Sequence, residues 1–265
     1  MCALAALAVV ACKKSSTTST LSSADDNGGY ASDAAKLESN GNSVLSIADN
    51  AATASGANLR TTGCATITRT YSGGDTTVTI DFGSGCTGFD GKTRSGQLMV
   101  TFNGAYKAPG TTRTITSNNY KVDGLTVAVH KTVVNEGNNA SGQDYYTVTV
   151  NDSIYLSSDS IISWSGNRTR TWISGYNTPE ILDDMYSIAG TTVVTRANGH
   201  VFTFAIESGA PLIVANDCYY IEAGTVNITG TSLTYERVLD YGDTPNCDAN
   251  ATVTINGHTY NIMLH

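Results

Sequence analysis

From Cys64 onward, apolar and polar residues alternate one by one. Leu98, Val100 and Phe102 share one parity, against Gln97, Met99 and Thr101 on the other. Val148, Val150, Ile154 and Leu156 alternate in the same way with Thr147, Thr149, Asn151 and Ser153, and Phe202, Phe204 and Ile206 form a further face. Tyr260, Ile262 and Leu264 form the last. A period of two puts successive side chains on opposite sheet faces, so this pattern predicts half-buried strands of an antiparallel sheet with one face on a core. The turns agree: Asp123-Gly124, Asn198-Gly199 and Asn256-Gly257 each separate two such runs. These dipeptides take the positive φ angles of a type I′ hairpin turn. The predicted fold is all-β over residues 60–265, either a large antiparallel β-sandwich or a curved β-meander built of hairpins.

Two segments break the alternation. Residues 43–54 predict a short helix with sparse apolar positions. Thr178-Pro179-Glu180-Ile181 combines an N-cap Thr, a Pro at the first helical position and acid in the first turn, which predicts one or two helical turns in a connection. Between Lys13 and about Gly41 the chain is mostly Ser, Thr, Asp, Asn and Gly, with little to bury, and it reads as a disordered tether. The expected organisation is therefore a leader over 1–11, a Ser/Thr-rich tether with the short helix over 12–59, and the all-β domain over 60–265.

The leader has its own chemistry. Leu4 to Ala11 is a run of small apolar residues, far shorter than the roughly 20 needed to span a bilayer, and it ends in Val9-Val10-Ala11-Cys12 before Lys13-Lys14. This resembles the lipobox of bacterial lipoproteins. The resemblance implies that Cys12 becomes the lipid-bearing first residue of the mature chain and that the partner of this end is a membrane. The Thr/Ser tether and the Ile80-Asp81-Phe82-Gly83 and Leu239-Asp240-Tyr241-Gly242 segments resemble β-rich exported lipoproteins of Bacteroidota. In such proteins a non-acidic residue after the lipidated Cys, here Lys13, accompanies delivery to the outer membrane. Three Asp-Ser/Thr triplets, beginning at Asp75, Asp152 and Asp159, are similar to the O-glycosylation sequon of that group.

Composition narrows the partners. A formal net charge of −8 over 265 residues lacks the basic footprint that nucleic acid requires, and it offers no attraction to anionic lipid. Six cysteines are present. Cys2 falls in the leader and Cys12 at the lipobox, which leaves Cys64, Cys86, Cys218 and Cys247 for a compartment that permits disulfides. Four thiols allow three pairings. Each pair brackets a segment containing an aliphatic-Asp-aromatic-Gly sequence, and hairpins bring their ends together, which favours Cys64–Cys86 and Cys218–Cys247.

Signatures of known chemistry are sparse. The sequence contains no G-x-S-x-G, H-E-x-x-H, Walker or Rossmann motif, and His130, His200, His258 and His265 are scattered. Glu180, Asp183, Asp184, Glu207, Glu222 and Glu236 supply carboxylates, but nothing in their spacing opposes two of them across a cleft as glycoside hydrolysis requires. Asp240, Asp243 and Asp248 are the candidate for a Ca²⁺ loop, although not at EF-hand spacing; otherwise no cofactor is expected. The candidate ligand surface is Trp164, Arg168, Arg170 and Trp172, the last three sharing one strand face. Exposed, they suit stacking on a sugar or holding an anion; buried, they form a ladder that only stabilises the sheet. The functional expectation is a cell-envelope lipoprotein with a non-catalytic binding or structural role, its partner a glycan or an envelope protein. The alternative is a hydrolase acting on polysaccharide.

Overall fold

A computed structural model describes residues 19–20, 28–53, 64–88, 90–157 and 160–264. Cys12 and the rest of the leader lie outside the described residues. The chain order is β1 (Ser19–Thr20), α1 (Gly28–Thr53), β2 (Thr66–Ser72), β3 (Asp75–Asp81), β4 (Cys86–Thr87), β5 (Thr93–Phe102) and β6 (Thr112–Val122). It continues with β7 (Leu125–Ala128), β8 (His130–Asn138), β9 (Asp144–Ser157), β10 (Ser160–Ser174), β11 (Met185–Arg196) and β12 (Val201–Ile206). The last six are β13 (Leu212–Ala215), β14 (Ile221–Ala223), β15 (Thr225–Thr229), β16 (Arg237–Asp240), β17 (Asn250–Ile255) and β18 (His258–Met263).

The fold is all-β, as the alternation predicts, and its sheet is one long antiparallel meander. Pairing runs from β2 through β3, β5, β6, β8, β9, β10, β11, β12, β15, β16 and β17 to β18. Short strands fill the rows: β4 lies along β5, β7 bridges β6 and β9, and β13 continues along β11 with β14 beside it. At the far edge β1 adds to β18 in parallel, Ser19 opposite Tyr260. Asp123-Gly124 and Asn256-Gly257 turn their hairpins with φ of 49° and 83°, and 49° and 75°, as the type I′ geometry demands.

What the sequence did not predict is the occupant of the concave face. The helix begins at Gly28, fifteen residues before the expected start at 43, and is 26 residues long, about 39 Å. Residues 28–41 are therefore helix and not tether. Tyr30, Ala31, Ala34, Leu37, Val44, Leu45, Ile47, Ala48 and Ala51 are all buried in the same cluster as the sheet's inner face, so helix and sheet share one core. Contacts show that the sheet curls round it. Arg69 of β2, Arg94 of β5, Arg113 of β6, Arg168 and Arg170 of β10 and Arg196 of β11 all reach α1, and Tyr30 stacks 4.1 Å from Phe202 of β12. Arg69 donates to the carbonyls of Ala51 and Ala52, placing a cation where the helix dipole is negative and its last carbonyls lack partners.

The connection between β10 and β11, residues 175–184, is a series of turns and bends and not the one or two helical turns expected at Thr178. Thr178 does not cap a first turn. Its hydroxyl lies within hydrogen-bond distance of the Asp183 carboxylate and the Gly175 and Glu180 carbonyls and shares its one proton among them, which closes the segment as a loop.

Both expected disulfides form, Cys64–Cys86 and Cys218–Cys247, with Cα separations of 5.7 and 5.6 Å. Disulfides belong to oxidising, non-cytoplasmic compartments. Among the described residues no helix is long and apolar enough to cross a membrane. The two aliphatic-Asp-aromatic-Gly segments also share a backbone device. Asp81 accepts from Gly83 N and Asp240 from Gly242 N, at 2.7 and 2.8 Å. Phe82 and Tyr241 are both buried, and each donates its backbone N–H to a glycine carbonyl, of Gly96 and Gly224 respectively, while that glycine's N–H donates to the carbonyl of the following residue, Gly83 or Gly242. Gly96 follows Phe82 in the chain whereas Gly224 precedes Tyr241. The echo is thus a strand-end device used twice, in opposite chain order, and not a duplicated hairpin.

Candidate functional site

Inward parity on the strands carries cations as well as apolar residues. Arg94, Arg113, Lys131, Arg168, Arg170 and Arg237 are all under 5% exposed. An unpaired charge in such an interior would cost several kcal/mol, and α1 supplies much of the answer. Arg196 pairs with Asp33, Arg168 with Glu38, and Arg113 and Arg170 both with Asp49, the Arg170–Asp49 contact being 2.5 Å. Lys131 pairs with Asp152 and Arg94 with Asp90, each at 2.5 Å, within the sheet. Burial works to raise the Asp49 carboxyl, but the two guanidiniums and the hydroxyl of Tyr106 hold it below the usual carboxylate range. For Asp33 burial wins over Arg196, and its carboxyl is raised.

This interior accounts for the sequence's candidate ligand surface. Trp164, Arg168, Arg170 and Trp172 do share one face, but it is the inner one: all four are 3–4% exposed. Trp164 lies against Gly41 of the helix, with Lys131 Nζ 4.7 Å from its ring centre. The Arg170 guanidinium sits 3.4 Å over Tyr186. Trp172 packs on Tyr176 and Tyr186 and receives Lys107 Nζ at 4.2 Å. The four residues therefore offer no surface to a glycan. Ile162 shares their parity, while Ser163, Ser165, Asn167, Thr169 and Thr171 occupy the other. That was the signal that the arginines belong to the apolar side.

Asp240, Asp243 and Asp248, the calcium candidates, are not gathered into one group of donor atoms. Asp240 and Asp248 spend carboxylate oxygens on the backbone N–H of Gly242 and Asn250. Among the described residues the one group of three donor atoms within 4.8 Å is Cys218, Glu222 and Cys247, and both sulfurs are in the disulfide. His130 and His258 are exposed, and His200 meets the Tyr30 hydroxyl at 3.2 Å.

One cavity of about 510 Å³ opens beside the helix, within the range of small-molecule sites. Its floor reaches Arg170. One wall is a polar edge of α1: Ser39, Asn42, Ser43 and Ser46 recur at i, i+3, i+4 and i+7 and so lie on one stripe. Asp90, Lys92 and Arg94 form the second wall. The third is the Val214–Ile221 segment, tied by the Cys218–Cys247 bridge, with Tyr219 half exposed at 49% and Tyr220 following it. The walls are pinned to one another: Arg94 donates to Ser43 at 2.9 Å, Lys92 to Ser39 at 3.3 Å, and Ser46 to Asn216 at 2.9 Å. The Asn42 amide nitrogen is buried with no hydrogen-bond partner among the described residues. Burial, helped by Arg94, pushes the Lys92 ammonium below its ordinary pKa despite Asp90 and Asp123. The site was not readable in the sequence because its serines fall in the tether and short helix expected over 12–59, some 40 to 180 residues from the opposing walls.

A second feature is Asp184. It is 4% exposed, one carboxylate oxygen has no hydrogen-bond partner among the described residues, and burial lifts its pKa to about 6 against the pull of Lys107. A raised carboxyl pKa means that the folded state holds a proton the unfolded chain has released, so stability declines as pH rises from about 4 through 6. Asp184→Asn should remove that decline. At pH 8 its melting temperature is expected to exceed that of the unsubstituted protein by a few degrees, on the order of 1 kcal/mol, with the difference vanishing near pH 4. Thermal melts at both pH values check this; a gap of equal size at both would assign the effect to packing.

The chain matches no protein-family model, no curated protein and no solved structure.

Proposed function

We propose that this chain is a cell-envelope lipoprotein, lipid-anchored through Cys12 and delivered to the outer membrane, whose folded part binds a ligand in the cavity beside α1 and does not catalyse. The observation that carries the reading is the cavity's lining. It combines hydroxyls and an amide from α1, two tyrosines and fixed cations, a set suited to holding a polar ligand. Three carboxylates near α1 are committed elsewhere. Glu38 and Asp49 are locked to arginines, and Asp90 takes two bonds from Arg94. Burial opposes ionisation of Asp90, yet Arg94 still holds its carboxyl below the usual range, the wrong direction for a general acid. Glycan contact moves in this reading from the Trp164–Trp172 strand to the cavity mouth at Tyr219.

Cys12→Ser tests anchor and binding together. The acidic chain has no electrostatic affinity for anionic lipid and should lose its hold once the acyl chains are gone. The variant is expected in the soluble fraction of lysed cells, while the unsubstituted protein stays with washed membranes. The released protein, applied to an array of neutral and acidic glycans, is expected to bind a subset, with Tyr219→Ala weakening that binding. Retention of Cys12→Ser in membranes would overturn the anchor. Turnover of an arrayed glycan, lost in Asp217→Asn, would overturn the non-catalytic reading in favour of a hydrolase.

A further inference from the structure

The cavity's cations are not all ion-paired, and the exception names a ligand class. Lys92, Arg94 and Arg170 face Asp90 and Asp217 across it. Arg170 is answered by Asp49 and Arg94 by Asp90. Lys92 feels Asp90 and Asp123 only at longer range: its ammonium donates to the Ser39 hydroxyl at 3.3 Å, and no carboxylate among the described residues stands within ion-pair distance. Only 15 of the chain's 265 residues are Lys or Arg, against 23 Asp and Glu, and three of the 15 line this one cavity. A half-buried ammonium given a hydroxyl where a carboxylate would stabilise it is costly in the empty cavity, and an anion entering there recovers that cost. The anion must also suit its neighbours. Ser39, Asn42, Ser43 and Ser46 are matched to a hydroxyl-rich molecule, Asn42 with an amide that lacks a partner. Tyr219 and Tyr220 at the rim present the amphipathic rings on which such a molecule rests.

Resting on the reading of this cavity as a ligand site, we infer that it binds an acidic sugar of the uronic acid class, the carboxylate on Lys92, the hydroxyls along the serine edge of α1, and the ring beside Tyr219. A neutral sugar would use the hydroxyls and the ring but leave the ammonium unanswered. A simple carboxylate such as acetate would answer the ammonium and leave the serines and Asn42 unfilled. Specificity therefore needs both parts of the molecule.

Saturation-transfer NMR and calorimetry with D-glucuronate, D-galacturonate, glucose, galactose and acetate, at low ionic strength, test the assignment. The uronates are expected to bind at least tenfold more tightly than the neutral sugars, with acetate weaker than either. Lys92→Met should abolish the tenfold preference while leaving the melting temperature unchanged or raised, since a desolvated charge is removed. Tyr219→Ala should weaken acidic and neutral sugars by a similar factor, between about two and tenfold. Neutral sugars binding as well as uronates, or a preference that survives in Lys92→Met, would overturn the acidic-sugar inference and leave the cavity as a binding site. Failure of every sugar here and of every glycan on the array would overturn both.

Discussion

Asp49→Ala is expected to lower the stability of the folded protein by about 3–5 kcal/mol, which for a chain of this size is a melting-temperature loss of roughly 6–20 °C. Asp49 is 2% exposed and its two oxygens serve different strands. Oδ1 accepts from Arg113 of β6 and from the Tyr106 hydroxyl at 3.0 Å, and Oδ2 accepts from Arg170 of β10 at 2.5 Å. Its removal leaves two guanidiniums in the interior with a like charge beside them. The cost is that of stranded cations and exceeds the net worth of the pair itself. Replacing Asp49, Arg113 and Arg170 together by apolar residues of similar volume should therefore restore much of what the single change removes. Urea denaturation of the single and triple variants is the measurement. A single variant within 1 kcal/mol of the unsubstituted protein would mean that solvent reaches this cluster and that the triad does not fasten the helix.

The same helix carries a graded response to acid. The Asp49 carboxyl lies below the ordinary carboxylate range, so its contribution is present at neutral pH and is lost only as pH falls through that lowered value. Asp33 is shifted the other way, because burial outweighs Arg196, and takes up its proton first as pH falls. The N-terminal turns of α1 should thus lose their ion pair before the C-terminal turns do. That order follows from which carboxylate has two arginines and which has one.

How much of this was legible in the sequence depends on how far apart the interacting residues are. Strands and hairpins were readable because alternation and Asn-Gly or Asp-Gly turns are local, and the same locality favoured the Cys64–Cys86 and Cys218–Cys247 pairings. The helix was not readable. Its Ser, Asn, Asp and Gly residues are poor helix formers, and a helix enclosed by a curled sheet has apolar residues round most of its circumference instead of on one stripe. Nothing marked Asp33, Glu38 and Asp49 as interior carboxylates, because their arginines lie 64 to 163 residues away. Arg168 and Arg170 were placed correctly on one face with Trp172. Which face that was depended on partners from α1 that no spacing within β10 could show.

Gly41 sets the helix directly against Trp164 of β10, and its substitution gives the second large effect. A Cβ at this position would stand 2.5 Å from Cη2 and 2.6 Å from Cζ3 of Trp164, which is 3% exposed. The indole has little room to withdraw, since Lys131 lies 4.7 Å from its ring centre and is itself held by Asp152. Two effects oppose each other. On propensity alone, Ala is favoured over Gly in a helix by about 1 kcal/mol; overpacking a rigid core costs about 1–3 kcal/mol, and here the clash is with a ring edge and not with the end of a flexible chain. Gly41→Ala is therefore expected to destabilise by roughly 1–2 kcal/mol, and Gly41→Leu by more, to the point of unseating α1. The sign should depend on the indole. In a Trp164→Phe background the smaller ring leaves room for the methyl group, and Gly41→Ala should become neutral or stabilising by up to about 1 kcal/mol. A double-mutant cycle read by urea denaturation measures the coupling directly. Additive effects in that cycle would mean that α1 does not rest on Trp164, and the close approach of helix and sheet would then need another cause.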